Sequence, residues 1–226
     1  MNCNKEYVKR TKKQMDYNKK NQIKNNILEQ KFWGDTLWED DGECWSDVFG
    51  GTDKLWEDII YPKIKPYLKG NVLEIAPGYG RITRKVLEHV STLSIVDMNK
   101  PCIDYCKNRF RDKNNIRYII NDGLSLREVA GDSFDFVFSW DSFVHMQKYV
   151  IDSYLKDISK KLKSGGYGAI HHGNVGGGSD DYSFQNLNGR SNFNADMFES
   201  MCRKYGLEVV EQYMFPEVYK SQLFFK

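Results

Sequence analysis

The chain has 226 residues, of which 40% are hydrophobic and 28% charged, with 33 Lys+Arg against 31 Asp+Glu for a formal net charge of +2. That length buries the full core of one domain with a small elaboration, and the composition is that of an ordinary globular protein. No apolar run is long enough to span a bilayer, and residues 1–31 are too polar for a secretory signal, so a membrane span is excluded and cytoplasmic residence is the expectation.

The charge is uneven. Residues 1–31 hold nine basic residues against three acidic ones, whereas the remainder holds 24 against 28. The N-terminal stretch reads either as a solvated helix or as an arm that meets an anionic partner; the acidic body argues against a broad nucleic-acid footprint. Five cysteines with no CxxC pair read as reduced thiols rather than a disulfide framework or a zinc knuckle.

In chain order, residues 31–68 collect Trp33, Trp38, Trp45, Phe49 and Trp56 between glycine turns and close on Pro62 and Pro66. They suit either a lid over a binding site or the small core of an N-terminal helical cap. From residue 70 onward, short apolar runs (Val72–Ala76, Leu93–Asp97, Ile116–Ile120, Phe134–Ser139, Tyr167–His172) alternate with helical patterns (Arg81–His89, Pro101–Phe110, Val150–Leu162). Continuous apolar strands separated by amphipathic helices predict a parallel sheet covered on both faces. Ser164-Gly165-Gly166 reads as a helix stop and turn. Asn194–Tyr205 reads as a last helix, followed by strands Leu207–Phe215 and Gln222–Phe225 around a Pro216 loop too short for a helical crossover. The expected fold is α/β and doubly wound (Rossmann-like): a mostly parallel seven-stranded sheet ending in an antiparallel hairpin, with an arm and cap over residues 1–68 and the main domain over residues 69–226.

Ligands in such sheets bind at the carboxyl ends of the strands. Gly78 and Gly80 make a tight strand-to-helix turn that lets a ligand approach the backbone. Thr83 stands where a third glycine would complete a dinucleotide fingerprint, which lowers the nicotinamide reading. Asp97 ends the second strand, where an acid accepts both hydroxyls of a ribose; Asp122-Gly123 follows the third, where an acid holds an adenine amino group or bonds its own turn.

The segment Glu74-Ile-Ala-Pro-Gly-Tyr-Gly80 resembles the first motif of class I S-adenosylmethionine-dependent methyltransferases, with Ala76 in place of that motif's first glycine. The resemblance runs from about residue 71 to the end of the chain. It implies S-adenosylmethionine as cofactor, held by Glu74, Ala76, Gly78, Gly80, Asp97, Met98, Asp122, Gly123 and Trp140, and it implies methyl transfer to a small-molecule acceptor.

Beyond the cofactor, Trp140, Asp141 and His145 follow the fourth strand, and His171, His172 and Asn174 follow the fifth. An acceptor hydroxyl must lose a proton as it attacks, and a histidine takes it near neutral pH. His145, His171 and His172 are the candidates for that base, with Asp141 placed to orient His145 if the segment is helical. Asp141 with two of these histidines would also supply mixed ligands for a metal. His89 reads as a structural residue at a helix C-terminus. Arg190 lies in the polar loop 173–190, where it could hold a phosphate or carboxylate of the acceptor. The strings Phe138-Ser-Trp-Asp-Ser-Phe-Val-His145 and Ile170-His-His-Gly-Asn174 resemble bacterial sugar and capsular-polysaccharide O-methyltransferases, which implies a sugar, nucleotide sugar or phosphorylated precursor as acceptor. An RNA methyltransferase using the basic arm and a non-catalytic relative are the alternatives.

Overall fold

The computed structural model describes residues 38–130, 134–174, 193–214 and 221–222. Five strands form one sheet: β1 (Asn71–Ile75), β2 (Thr92–Asp97), β3 (Ile116–Ile120), β4 (Phe134–Ser139) and β5 (Leu162–Ile170). Their order is β3-β2-β1-β4-β5 and every neighbouring pair is parallel. The chain winds outward from β1 to β3, then crosses back to β4. The crevice at this switch point opens at the carboxyl ends of β1 and β4.

Side-chain alternation along the strands feeds two cores. On one face Val72, Leu93, Ile95, Phe136 and Phe138 pack with α1 (Thr52–Leu55), α2 (Tyr61–Ile64), α3 (Thr83–Val86) and α4 (Lys100–Arg109). On the other, Leu73, Ile75, Val137 and Ile170 pack with α5 (Lys148–Lys161) and α6 (Ala195–Lys204). The α5 stripe Val150, Ile151, Tyr154, Leu155 and Ile158 has the spacing of one buried helix face. Asn194 caps α6, its side chain accepting from Met197 N at 2.9 Å.

Four expectations change. The helix foreseen over 81–89 is only the short α3, preceded by a turn in which Gly80 and Gly78 have positive φ. Ser164, Gly165 and Gly166 lie inside β5, where the register jumps from Phe134↔Leu162 to Phe136↔Tyr167 and the extra residues bulge from the ladder. The C-terminal hairpin is not seen: residues 207–214 form no strand, and β7 (Ser221–Gln222) pairs antiparallel with β6 (His172–Gly173), which carries the chain on from β5. The described sheets therefore comprise five parallel strands and one small antiparallel pair, in place of a single seven-stranded sheet.

Of the tryptophan-rich stretch, residues 38–68 are described, and their packing is shared with the sheet. Leu55, Trp56, Ile60 and Ile64 are buried in the same core as Val72 and Leu93, with a π-helical turn at Trp56–Ile60 linking α1 to α2. Trp56 and Tyr61 both stack on His89, which is thus a packing residue. Cys102, Cys106 and Cys202 are buried free thiols, whereas Cys44 is disulfide-bonded, against the expectation of five reduced thiols.

Gly80 shows how tightly the first turn is built. Its φ is +79°, and a Cβ there would lie 2.7 Å from the Phe110 ring and 3.2 Å from Cys106 Sγ. Gly80→Ala should therefore lower stability by roughly 1–3 kcal/mol, combining left-handed strain with overpacking against α4; denaturant titration at fixed pH measures it.

Candidate functional site

The β1-to-α3 turn is the first wall of the crevice. Ala76 continues the β1 ladder, its N–H donating to Val96 O at 2.7 Å, but its φ is +56°, a conformation strained for any residue but glycine. This explains why the resembling motif has glycine here. The turn is tied to β4 by Ser139 Oγ, which donates to Ile75 O at 2.7 Å, and by Ser142 Oγ, which donates to Ala76 O at 3.1 Å. Gly78 N–H donates to Asp97 Oδ2 at 3.3 Å and Asn99 N–H to Oδ1 at 2.8 Å, fixing the Asp97 carboxylate at the end of β2. Burial raises the Asp97 carboxyl to about 6 even against these amide donors.

Glu74, one strand over, is more extreme. It is 2% exposed, it lines the cleft, and its Oε2 has no hydrogen-bond partner among the described residues. Burial pushes its carboxyl up to about 8; the Thr83 hydroxyl and the Arg81 charge oppose the rise, and the Asp97 charge adds to it. Arg81 lines the same cleft at 8% exposure, its Nη1 donating to Ser46 Oγ at 2.5 Å and its Nη2 3.4 Å from Asp141 Oδ2. Sequence reasoning missed Arg81. Its signal was the first side chain after the Gly-x-Gly turn, which must emerge beside the glycines.

The N-terminal stretch closes the other side. Glu43 receives Arg109 Nη2 at 2.9 Å and lies 3.5 Å from Arg84 Nε, while Arg84 and Lys85 hold Asp53 at 2.7 and 3.0 Å. Thus pinned, the stretch brings Trp38 and Trp45 to the cleft. Trp38 stacks on Tyr79 at 5.0 Å and lies so close to the turn that a Cβ on Gly78 would sit 2.2 Å from its ring. Only glycine leaves room there.

Of the other residues singled out from sequence, Met98, Gly123, Trp140, Asp141 and His145 line the cleft, and Gly80, Asp122, Asn174, His171 and His172 do not. Gly80 packs under the turn. Asp122 bonds its own loop, its Oδ1 accepting from Leu124 N at 2.8 Å and Ser125 N at 2.7 Å. Asn174 Oδ1 accepts from Ala195 N at 3.1 Å at the start of α6. Arg190 lies outside the described residues.

The three histidines separate. His145 sits in a turn, its N–H donating to Ser142 O at 3.0 Å, so the helical spacing to Asp141 does not apply. His171 is 1% exposed and stacks under Trp140 at 4.2 Å; its Nδ1 accepts from the Asp141 N–H at 3.1 Å, so it supports the Asp141 backbone, held at a φ of +63°. His172 is fully buried, stacked on Phe198 at 4.1 Å, with Nδ1 2.9 Å from Gly173 O. Burial lowers its pKa to about 4, so it is neutral and walled off from the cleft. Among the described residues, no group of three or more His, Cys, Asp or Glu side chains is arranged to hold a metal ion, and no helix is long and apolar enough to cross a membrane.

Glu74 and His172 impose opposite pH dependences on the ligand-free protein. The unfolded chain takes up a proton on His172 below about 6.5 that the folded chain refuses until about 4, so stability falls as pH drops through that window. The folded chain retains a proton on Glu74 that the unfolded chain releases above about 4.5, so stability also falls as pH rises from there to about 8. Glu74→Gln should raise the thermal midpoint, and by more at about pH 8.5 than at about pH 5. His172→Phe should flatten the acid side. Scanning calorimetry across pH reads both.

A family model described as a methyltransferase domain matches residues 72–166, from β1 into β5. The ubiquinone/menaquinone biosynthesis C-methyltransferase UbiE of Zymomonas mobilis is 24% identical over 121 residues; the match covers 52% of this chain and 48% of that protein, so the chain spans about half the length of this relative. Among solved structures, an S-adenosylmethionine-dependent methyltransferase of Leishmania major superposes with a TM-score of 0.68 at 14% identity, over 96% of this chain and 87% of that one. Another from Clostridium acetobutylicum superposes with a TM-score of 0.60 at 16% identity, over 76% and 90%. With the parallel sheet, the glycine turn and the acid at the end of β2 already in place, the chain has the class I S-adenosylmethionine-dependent methyltransferase fold.

Proposed function

We propose that the protein transfers a methyl group from S-adenosylmethionine to a hydroxyl of a small acceptor, a sugar or related precursor of a bacterial surface polysaccharide, with His145 as the base. The observation that carries this reading is a single cleft whose walls hold Asp97, Glu74 and His145 together. The polysaccharide acceptor rests on the resemblance of the residue 138–145 and 170–174 strings.

The donor set fits the cofactor. A carboxylate has about four acceptor sites, and Asp97 spends part of them on the Asn99, Gly78 and Met98 backbone amides, leaving capacity for a ribose hydroxyl. The unpartnered Glu74 oxygen suits the ammonium of the cofactor's amino-acid part, and Arg81 suits its carboxylate. S-adenosylmethionine, when bound, supplies a methyl group on a sulfonium sulfur that is already strongly electrophilic, so the protein's work is alignment. His145 takes the hydroxyl proton as the acceptor attacks. Trp38 and Trp45 exclude water from the crevice. Asp141, braced by Arg81 and His171, sets the floor beside the acceptor.

Calorimetry should show S-adenosylhomocysteine binding that Asp97→Ala weakens by roughly 1–3 kcal/mol, the cost of unmade charge-assisted hydrogen bonds. With labelled S-adenosylmethionine and a panel of nucleotide sugars, His145→Gln should lower turnover about 10²–10⁴-fold while S-adenosylhomocysteine affinity holds, and wild-type turnover should fall on the acid side as the base protonates. Full turnover in His145→Gln removes the base; a wild-type protein that binds no S-adenosylhomocysteine removes the whole reading.

A further inference from the structure

Gln147 is the residue immediately before α5, the position from which a side chain ordinarily caps the exposed N–H groups of a helix. It does not do so. Its backbone accepts from Val150 N at 2.9 Å and Ile151 N at 3.1 Å, while its side chain makes no cap hydrogen bond. The side chain is 8% exposed and lines the cleft, and its Nε2 has no hydrogen-bond partner among the described residues. A buried amide donor left without a partner destabilises the empty protein. A polar side chain that lines a cleft and stays buried without a partner is prepared for a ligand.

The surroundings say which part of the ligand. Tyr149, Val150 and Tyr154 of α5 line the cleft together with Met98 and Gly123. This end is rigid, because α5 is fastened to the loop after β3: Asn121 Nδ2 donates to Tyr154 Oη at 2.8 Å, Ser153 Oγ to Leu124 O at 2.7 Å, and Leu126 N to Asp157 Oδ2 at 2.9 Å. Asp97, on β2, lies between β1, which leads into the Gly78 turn, and β3, which leads to Gly123. With the ribose on Asp97 and the amino-acid part toward Glu74 and Arg81, the heterocycle extends toward Gly123 and α5. There it meets the mainly apolar wall of Met98, Gly123, Tyr149 and Val150, with Tyr149 two residues along the chain from the buried Gln147 donor; such a mix of apolar wall and placed polar groups is how a pocket orients a flat ring.

Building on the proposed cofactor, we propose that Gln147 is a specificity-determining residue whose side-chain amide donates a hydrogen bond to an acceptor atom at the nucleoside end. A ring lacking an acceptor there leaves the donor buried and unpaired, and is rejected for that reason.

The test is calorimetry of wild type, Gln147→Leu, Gln147→Glu and Arg81→Met with S-adenosylhomocysteine and with 5′-methylthioadenosine, which keeps the nucleoside but lacks the amino-acid part. Gln147→Leu should weaken both ligands about 10-fold, and Gln147→Glu, which replaces the donor by an acceptor, should weaken both further. Arg81→Met should weaken S-adenosylhomocysteine alone. Ligand-free Gln147→Leu should melt no lower than wild type, since it removes an orphaned donor. If Gln147→Leu binds both ligands as tightly as wild type, or loses only S-adenosylhomocysteine, the assignment is overturned. If wild type itself binds neither ligand, it is the cofactor reading that fails.

Discussion

The site depends on two carboxylates held out of water at the ends of adjacent parallel strands. Glu74 and Asp97 are both nearly fully buried, and neither has a cationic side chain bonded to it among the hydrogen bonds and ion pairs described. Backbone amides hold Asp97, and Glu74 is left to lose its charge. Such groups cost stability in the empty protein, and a well-packed apolar pair would serve the fold better. On the proposed function, that cost is recovered when a ligand rich in hydroxyl and ammonium donors enters.

Around this pair, part of the backbone strain sits at the crevice itself; elsewhere among the described residues, Asp40 and Asp41 in the N-terminal stretch also have positive φ. Ala76 and Asp141, both non-glycine residues with positive φ, flank the crevice at the ends of β1 and β4, and the Ser142 hydroxyl ties one segment to the other. His171 contributes from beneath, its ring accepting the Asp141 amide and stacking on Trp140. A histidine that reads as chemistry in the sequence is in this respect a brace. Such a fixed backbone would suit the proposed transfer, because groups that need not reorganise cost nothing when the reactants meet.

The N-terminal stretch belongs to the same construction. Its ion pairs through Glu43 and Asp53 are partly exposed and individually weak. The burial of Leu55, Trp56, Ile60 and Ile64 in the sheet's own core is the larger stabilising contribution and fixes the stretch in register. Packing and ion pairs together hold the stretch that brings Trp38 and Trp45 to the cleft.

The sequence alone determined the first four parallel strands, the glycine turn, the position of Asp97 at the end of β2 and the doubly wound order. These are local matters: an apolar run, a Gly-x-Gly step and an acid after a strand each leave their mark within ten residues. β3 and β4 have the bounds their apolar runs predict. Tertiary structure decided which chemistry-bearing side chains share a space. His145 reaches the cleft while His171 and His172 do not, because residues after β5 point beneath Trp140 and into the Phe198 core, a difference of facing that spacing does not encode. Arg81 and Gln147 were silent in the sequence for a related reason: an arginine after a turn and a glutamine before a helix are commonplace, and only burial on the cleft wall distinguishes them. The last strand pairing was illegible too, since two residues of β7 join β6 rather than a neighbour in sequence, and a short non-local ladder is set by what edge the folded sheet leaves open.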